Sequence, residues 1–210
     1  MADTLSRLML VSPVLTAGSS FLSPLAGALG AAEFAAVILR VEREADERGL
    51  LKALKPLVEA VQEAGAAALI EGAPDLVGKS GADGAHVLGV AQTRAAVERF
   101  KPEKIVGAGA LRTRDDAMTA GETNCDYVLF GDPGKGGTPP AEATAERCAW
   151  WAEIFTTPCV GQAETLEAVA PIAATAAEFV ALGTFVWTYA EGPAAAVRAA
   201  IAAMPAEQAA

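Results

Sequence analysis

The chain has 210 residues, 52% of them apolar, and its 26 acidic and 16 basic residues give a formal net charge of -10. This balance argues against nucleic acid and anionic membrane surfaces as partners, and no apolar stretch is long and uninterrupted enough to span a membrane. The length suffices for the core of one domain and hardly of two, so we predict a single domain over residues 1–210 with a flexible tail at 205–210.

The N-terminal residues and the cysteines indicate a cytoplasmic protein. The sequence does not begin with a basic segment followed by a long apolar stretch, so we expect no signal peptide. Cys125, Cys148 and Cys159 have no CxxC or other metal-ligand spacing. We therefore predict free thiols that fill small apolar spaces.

Short apolar, β-branched runs recur along the chain, and each is followed by an Ala-rich segment with helical spacing. This alternation is typical of repeated βα units, which build either a (β/α)8 barrel or a doubly wound open sheet. Eight runs with short connections favour the (β/α)8 barrel, whose chemistry lies on the loops after the strands. The runs are Leu8–Val11, Ala36–Arg40, Ala66–Glu71, Gly84–Leu88, Lys104–Ala108, Asp126–Gly131, Pro158–Gln162 and Glu178–Phe185.

Helical patterns lie between these runs. Thr113, followed by Asp115 and Asp116, predicts a helix start with a threonine N-cap. The predicted helices are Pro24–Ala32, Leu51–Ala64, a short one from Pro74, Thr93–Phe100, one after Thr113, Ala141–Ile154, one from near Glu164, and Pro193–Met204.

The segment Gly131–Pro140 is the most irregular of the chain, with four Gly and three Pro around Lys135. We predict a loop that is either a phosphate-gripping lid or a surface connection, and it lacks the residue order of a Walker A loop. On the helix that follows, Trp150 or Trp151 must pack against the barrel or against a partner subunit. The sequence therefore leaves open whether the protein forms a homo-oligomer.

Three fragments follow one another in the order and near the spacing of a known family. They are Ala82-Asp83-Gly84-Ala85-His86-Val87, Ile105-Val106-Gly107 and Cys125-Asp126-Tyr127-Val128-Leu129-Phe130-Gly131. They resemble the strings "ADGVHLGQ", "IIGVS" and "ADYVGFGP" of thiamine-phosphate synthase and its TenI-type tautomerase relatives, and Phe179–Phe185 is similar to that family's last strand. The resemblance implies a (β/α)8 barrel that couples hydroxymethylpyrimidine diphosphate to thiazole phosphate, with Mg²⁺ at the departing diphosphate.

The resemblance implies two metal-binding aspartates, and this chain has neither. Glu71-Gly72-Ala73 stands where the family has "NDR", which places Gly72 at the first aspartate, and counting from His86 places Ala91 at the second. Glu71 or Asp75 would replace them only with a shifted backbone. We therefore expect no metal site and no cofactor, and a coupling reaction that is very slow or absent, because the diphosphate charge is not neutralised.

The phosphate contacts that the resemblance implies are partly kept, and the expected ligand is a small phosphorylated metabolite. Arg40 matches an arginine that contacts the diphosphate, although Ile38 and Glu42 depart from the surrounding motif. The remaining candidates are Lys135 and Thr138 in the loop after strand six, Gly161 in strand seven, and Gly183 and Thr184 after strand eight, whose backbone N–H groups suit a phosphate.

The residues alone leave the roles of three side chains open. Arg40 either binds a ligand or pairs with Glu71, which lies at the same height on the adjacent strand and would fill the diphosphate site. Glu71 and His86 are the candidates for acid/base chemistry, and His86 is the only histidine. His86 lies inside a strand rather than beyond its end, which also fits a buried, hydrogen-bonded side chain.

Three classes of function follow from these expectations. The first is the coupling transferase with an unconventional metal site, and the second is a metal-free tautomerase that needs only an acid/base residue and a phosphate grip. The third is a non-catalytic binding or regulatory protein.

Overall fold

The computed structural model describes residues 6–42 and 46–205 and contains eight parallel strands that close into a barrel. Each strand pairs with its neighbours in sequence, and β8 closes the ring on β1 with Val180 opposite Leu8. The predicted (β/α)8 barrel is confirmed, and the open sheet is excluded. The strands are β1 (Arg7–Val11), β2 (Ala36–Arg40), β3 (Ala67–Glu71), β4 (Gly84–Leu88), β5 (Ile105–Gly109), β6 (Tyr127–Phe130), β7 (Cys159–Ala163) and β8 (Phe179–Leu182).

Helices follow the strands and cover the outside of the barrel. Two single turns of 3-10 helix, Pro74–Leu76 and Leu166–Ala168, precede α3 and α7. No helix in the described part of the chain is long and apolar enough to cross a membrane. The helices are α1 (Leu22–Leu29), α2 (Glu47–Glu63), α3 (Val77–Ser80), α4 (Val90–Phe100), α5 (Arg114–Gly121), α6 (Ala141–Ile154), α7 (Val169–Ala173), α8 (Phe185–Thr188) and α9 (Pro193–Ala203).

Strand eight spans Phe179–Leu182, as predicted, although the apolar run that contains it continues to Phe185. The strand ends at Leu182, and Phe185 begins α8 instead. The Gly183 N–H donates to the Ala163 carbonyl at 2.8 Å as the last rung toward β7, and the Val186 N–H then donates back to the Gly183 carbonyl at 3.3 Å. A continuous apolar run does not reveal such a change from ladder to turn, because both structures bury the same side chains. The predicted tail lies, from residue 206 onward, outside the described residues.

The barrel interior is packed rather than hollow. Alternate strand residues point inward and form one buried apolar cluster, while the intervening residues face the helices. Because side chains fill the interior, a ligand must approach from the ends of the strands. The inward cluster consists of Met9, Val11, Ala36, Ile38, Leu69, Tyr127, Leu129, Val160 and Ala181.

The three cysteines and Trp151 are buried in the packed core. All three cysteines are free and buried, as predicted. Trp151 is fully buried, packs against Phe130 and donates its ring N–H to the Thr157 carbonyl at 2.7 Å. Trp150, which is half-buried, lies beside Trp151 on α6.

Candidate functional site

The barrel mouth, at the carboxyl ends of the strands, is nearly filled by charged side chains. The cavity that remains there has a volume of about 50 Å³. Four of its lining residues form two ion pairs, Arg40 with Glu71 and Arg112 with Asp132. The rest of the lining consists of Val11, Leu88, Pro133 and Gln162.

Arg40 and Glu71 form the salt bridge that was predicted from their positions. They are paired residues in the register of β2 and β3, and Arg40 Nε donates to Glu71 Oε1 at 3.2 Å. Their side chains are only 24% and 15% exposed. Burial raises the pKa of Glu71, and the neighbouring Arg40 guanidinium opposes that shift. Neither group is therefore a free charge that a phosphate or a metal ion meets without first breaking the pair.

Gly72 lies at the position of the family's first aspartate, and its backbone conformation suits only glycine. Gly72 has φ of +92°, and a Cβ built on it would overlap the carbonyl oxygen of Val41. Ala91, at the second position, is exposed in the first turn of α4. Among residues 6–42 and 46–205, no group of three or more His, Cys, Asp or Glu side chains is arranged to hold a metal ion. The residues present at the mouth do not fit the Mg²⁺ that the family implies.

On the opposite side of the mouth, Glu164 occupies the predicted phosphate position. Both the N–H and the hydroxyl of Thr184 donate to Glu164 Oε2, at 3.2 and 2.6 Å. The Gln162 amide donates to Glu164 Oε1. A Cβ on Gly183 would lie 2.5 Å from the same oxygen, so the glycine is what admits the carboxylate. The chain thus places its own anion where Gly183 and Thr184 would hold a phosphate.

His86 lies below the mouth, inside the barrel. Its Nδ1 shares a hydrogen bond of 2.9 Å with the Tyr127 hydroxyl, and the two rings are stacked. Two β5 glycines provide the space, because a Cβ on Gly107 would overlap the Tyr127 ring and one on Gly109 would lie 2.5 Å from His86 Nε2. Burial, with a smaller contribution from Arg40, lowers the pKa of His86 to about 3. The imidazole is therefore neutral near pH 7 and is part of the packed interior.

The loop after β6 is anchored by Arg112. Its guanidinium donates to the Asp132 carbonyl at 2.9 Å, to Asp132 Oδ2 at 2.9 Å and to the Pro133 carbonyl at 3.3 Å. Burial raises the pKa of Asp132, and Arg112 opposes that shift. Beyond Pro133, reciprocal backbone bonds between Gly134 and Gly137 close a tight turn.

The structure brings only some of the predicted site residues to the mouth. Arg40 and Glu71 line it, whereas Gly183 and Thr184 do not and are joined to it only through Glu164, which accepts from the lining residue Gln162. Lys135 and Thr138 are exposed in the loop after β6 and do not line the mouth cavity, so their phosphate contact stays a prediction.

Gly161 does not face the mouth either. It lies within β7, and a Cβ there would overlap Ile172 of α7 and approach Cys148 Sγ of α6 at 3.0 Å. The absence of a side chain at this position allows those helices to pack closely on the strand. Its position is explained by packing, because inward and outward residues alternate along β7.

Sequence reasoning missed Glu164, Arg112 and Asp132 as parts of the mouth. A signal for Glu164 was present, because it follows Gln162 by two residues at the end of a strand, and such a spacing puts both side chains on one face. No comparable local signal joins Arg112 to Asp132, because their contact depends on how two separate loops fold.

Comparisons with known proteins agree with this architecture. Residues 8–186 match the family model described as thiamine monophosphate synthase. A thiamine-phosphate synthase from Rhodospirillum centenum is 37% identical over 196 residues, covering 91% of this chain and 94% of the relative. Another from Hyphomonas neptunium is 35% identical over 207 residues, covering 92% of this chain and 91% of that relative.

Among solved structures, thiamine phosphate pyrophosphorylase from Pyrococcus furiosus has a similar fold. The TM-score is 0.74 at 17% sequence identity, and the match covers 94% of each chain. At that identity the likeness concerns the fold alone, whereas the family model and the two relatives concern the sequence. Together with the closed barrel, they establish that this chain belongs to the thiamine-phosphate synthase family.

Proposed function

We propose that this family member does not catalyse the metal-assisted coupling reaction and is a non-catalytic protein that binds a phosphorylated metabolite. The observation that argues against catalysis is the state of the barrel mouth, a space of about 50 Å³ between two salt bridges. Sites for small molecules usually have volumes of about 300–1,000 Å³. Two substrates must meet in the coupling reaction, and this mouth is too small for either.

Opening the mouth would be energetically unfavourable. A substrate would have to separate Arg40 from Glu71 and Arg112 from Asp132, and Glu71 and Asp132 are mostly buried. Removing the partner of a buried charge is strongly destabilising unless the ligand replaces every lost contact. A diphosphate would compensate the arginines and would repel the two carboxylates that remain beside them.

The donor set at the mouth also argues against metal-assisted coupling. The family's two aspartate positions hold Gly72 and Ala91, and Glu71 is bonded to Arg40. Mg²⁺ prefers carboxylate and water oxygens in an octahedral arrangement. One carboxylate that already pairs with an arginine does not supply that arrangement, so we assign no reaction step to a metal ion in this chain.

The tautomerase alternative is not favoured by the same geometry. It needs an acid/base group in contact with substrate and a site for the substrate phosphate. His86 is buried and neutral, with its pKa lowered to about 3, and Glu71 is held by Arg40. The donors of Thr184 that suit a phosphate are already bonded to Glu164.

The test is a pair of activity assays on the purified full chain. In the first, hydroxymethylpyrimidine diphosphate, thiazole phosphate and Mg²⁺ are supplied, and thiamine phosphate is measured by chromatography, with the Rhodospirillum centenum relative as the positive control. In the second, conversion between the two thiazole tautomers is followed by NMR. We expect no product above the protein-free background in either assay. Turnover in the first assay at a rate similar to that of the control would refute the proposal, and turnover in the second would establish the tautomerase instead.

A further inference from the structure

A second space lies beside the mouth and differs from it in size and charge. It is a cleft of about 440 Å³ between the start of α5, the loop after β6 and the start of α6. We call it the arginine cleft. Its lining residues are Arg112, Thr113, Arg114, Gly131, Asp132, Pro139, Ala143, Thr144 and Arg147.

Two of the three arginines form no salt bridge with a carboxylate of the described residues. Arg114 places its guanidinium over the Trp150 ring, 4.6 Å from the centroid. Arg147 lies over Phe130 and donates one N–H to the Leu111 carbonyl at 2.8 Å. Over residues 6–42 and 46–205, neither guanidinium forms a salt bridge. Their remaining donors are available to a ligand.

The two carboxylates nearest to Arg147 attract it without a salt bridge, and both accept hydrogen bonds from other groups. Asp132 accepts from Arg112 and from the Ala110 N–H at 3.1 Å, and Asp116 accepts from the Thr113 N–H at 2.9 Å in the capping box of α5. Partial burial lowers the pKa of Arg147, repulsion from Arg112 and Arg114 adds to that shift, and Asp116 and Asp132 oppose it. A local excess of positive charge in a chain of net charge -10 indicates that an anion completes this cluster.

A buried hydroxyl points to the same conclusion. Thr144 lines the arginine cleft and is only 2% exposed. Its hydroxyl has no hydrogen-bond partner within the part of the chain that the structure describes. Buried hydroxyl groups nearly always have a partner, so a donor or acceptor from a ligand or a water molecule is expected here. The first turn of α6 also lacks a side-chain cap, which leaves backbone N–H groups at this end of the cleft.

We propose that the arginine cleft binds the phosphate or diphosphate group of a small metabolite. Guanidinium groups match phosphate oxygens with two parallel hydrogen bonds, and a cleft of about 440 Å³ has room for more than the phosphate itself. The inference rests on the proposed function in one respect, that the ligand is phosphorylated. It assigns binding to a site beside the barrel mouth, in which Arg114 and Arg147 are not among the phosphate contacts that the resemblance implies.

The test measures binding of inorganic pyrophosphate and inorganic phosphate to the full chain by calorimetry. Arg114→Gln and Arg147→Gln each remove one guanidinium from the cleft, and Arg94→Gln is the matched control. Arg94 is exposed on α4 in a separate groove beside Glu98 and Glu122. Because all three changes remove one positive charge, a difference between them reports the site rather than the net charge. We expect each cleft variant to raise the pyrophosphate Kd about tenfold and the control to leave it unchanged.

Tryptophan fluorescence gives a second readout that does not depend on the heat of binding. A ligand that draws Arg114 away from Trp150 changes the emission of that indole, and Trp150→Phe removes the change. Arg114 is exposed, so its variant keeps the fold even if Arg147→Gln loses stability.

The outcomes separate this inference from the proposed function. Equal pyrophosphate affinity in wild type, Arg114→Gln and Arg147→Gln would overturn the cleft while leaving the proposed function intact. No binding of pyrophosphate or phosphate by the wild type would overturn both the cleft and the binding role, whereas the coupling assay decides separately on catalysis. Succinate binding as tightly as phosphate would overturn the assignment of a phosphoryl ligand.

Discussion

The barrel mouth and the arginine cleft share Arg112 and Asp132, yet they differ in almost every other respect. The mouth retains about 50 Å³, and its two arginines each form a salt bridge. The cleft has about 440 Å³, and two of its guanidiniums form no salt bridge within the described residues. The comparison teaches that the place of a site in a fold does not decide where ligands bind. A ligand needs open space and charged groups without a salt bridge, and in this chain the arginine cleft beside the barrel axis offers both.

The filling of the mouth follows from the register of the strands. Parallel strands that end at one level bring Arg40 beside Glu71, and Gln162 points to the same end of the barrel from β7. Two glycines, at 72 and 183, then allow a backbone turn and a carboxylate that side chains would exclude. The cleft has no such constraint, because it is formed by loops and helix starts.

The largest effect is expected when the family's aspartate is restored to the mouth. Gly72→Asp must adopt φ of +92° and would overlap the Val41 carbonyl oxygen. We expect the free energy of unfolding to fall by about 3 kcal/mol or more, as measured by urea denaturation.

Gly65→Asp is the matched control for that substitution. Gly65 has a similar φ of +80°, but a Cβ there meets nothing within 4 Å. Gly65→Asp should lower the free energy of unfolding by only about 1 kcal/mol, since Asp tolerates the left-handed region. Equal losses in the two variants would show that the Val41 carbonyl does not constrain the mouth.

A pH-dependent loss of stability is expected from His86, below the mouth. Its pKa is about 3 in the folded protein and 6.5 in the unfolded chain, so the unfolded chain takes up a proton first as the pH falls. The stability that the neutral imidazole contributes is present above pH 6.5 and is lost below it, by about 2 kcal/mol between pH 6.5 and pH 4.5. Urea denaturation at several pH values measures the slope.

His86→Gln removes this titration and serves as the reference. Because the chain has one histidine, the difference between wild type and variant reports His86 alone. Glu71 and Asp132, whose pKa values are raised, act in the opposite direction and remain in both proteins. Parallel stability curves for the two proteins would contradict the buried, neutral imidazole.

A smaller effect is expected when the Glu164 carboxylate is removed from the predicted phosphate position. Glu164→Ala removes the acceptor of Thr184 and Gln162 and should lower the free energy of unfolding by about 1–2 kcal/mol. Inorganic phosphate should then raise the Tm of the variant more than that of wild type, because it takes the place of the carboxylate.

The control for that response is Glu178→Ala, at the other end of the barrel. Glu178 likewise accepts from a backbone N–H, that of Cys159, at 2.8 Å. Its loss should destabilise the protein without adding a phosphate response. An equal phosphate response in the two variants would show that the position of Glu164 has no affinity for anions.

The sequence predicted the barrel because its signals are local. Each strand is a short apolar run, and the threonine cap at 113 was confirmed together with its capping box, since the cap depends on residues three positions apart. The Arg40–Glu71 pair was also predictable, because neighbouring parallel strands fix the relative height of their last residues.

The remaining features of the site depend on distant contacts. Arg112 reaches Asp132 across 20 residues, and Thr184 reaches Glu164 across the same separation. Neither contact leaves a periodic pattern in the chain. The family resemblance implies a phosphate position at Gly183 and Thr184, and it gave no sign that a carboxylate of the chain itself lies there.

The turn beyond Pro133 divides the loop after β6 into two parts with different tolerance to change. Up to Pro133 the backbone is bonded to Arg112, so any insertion there would displace a wall of both the mouth and the cleft. Between the bridged residues Gly134 and Gly137, the exposed tip at Lys135 and Gly136 contributes to neither. Extra residues, including an epitope or a fluorescent reporter, can therefore be accommodated at this tip while the barrel keeps its internal geometry.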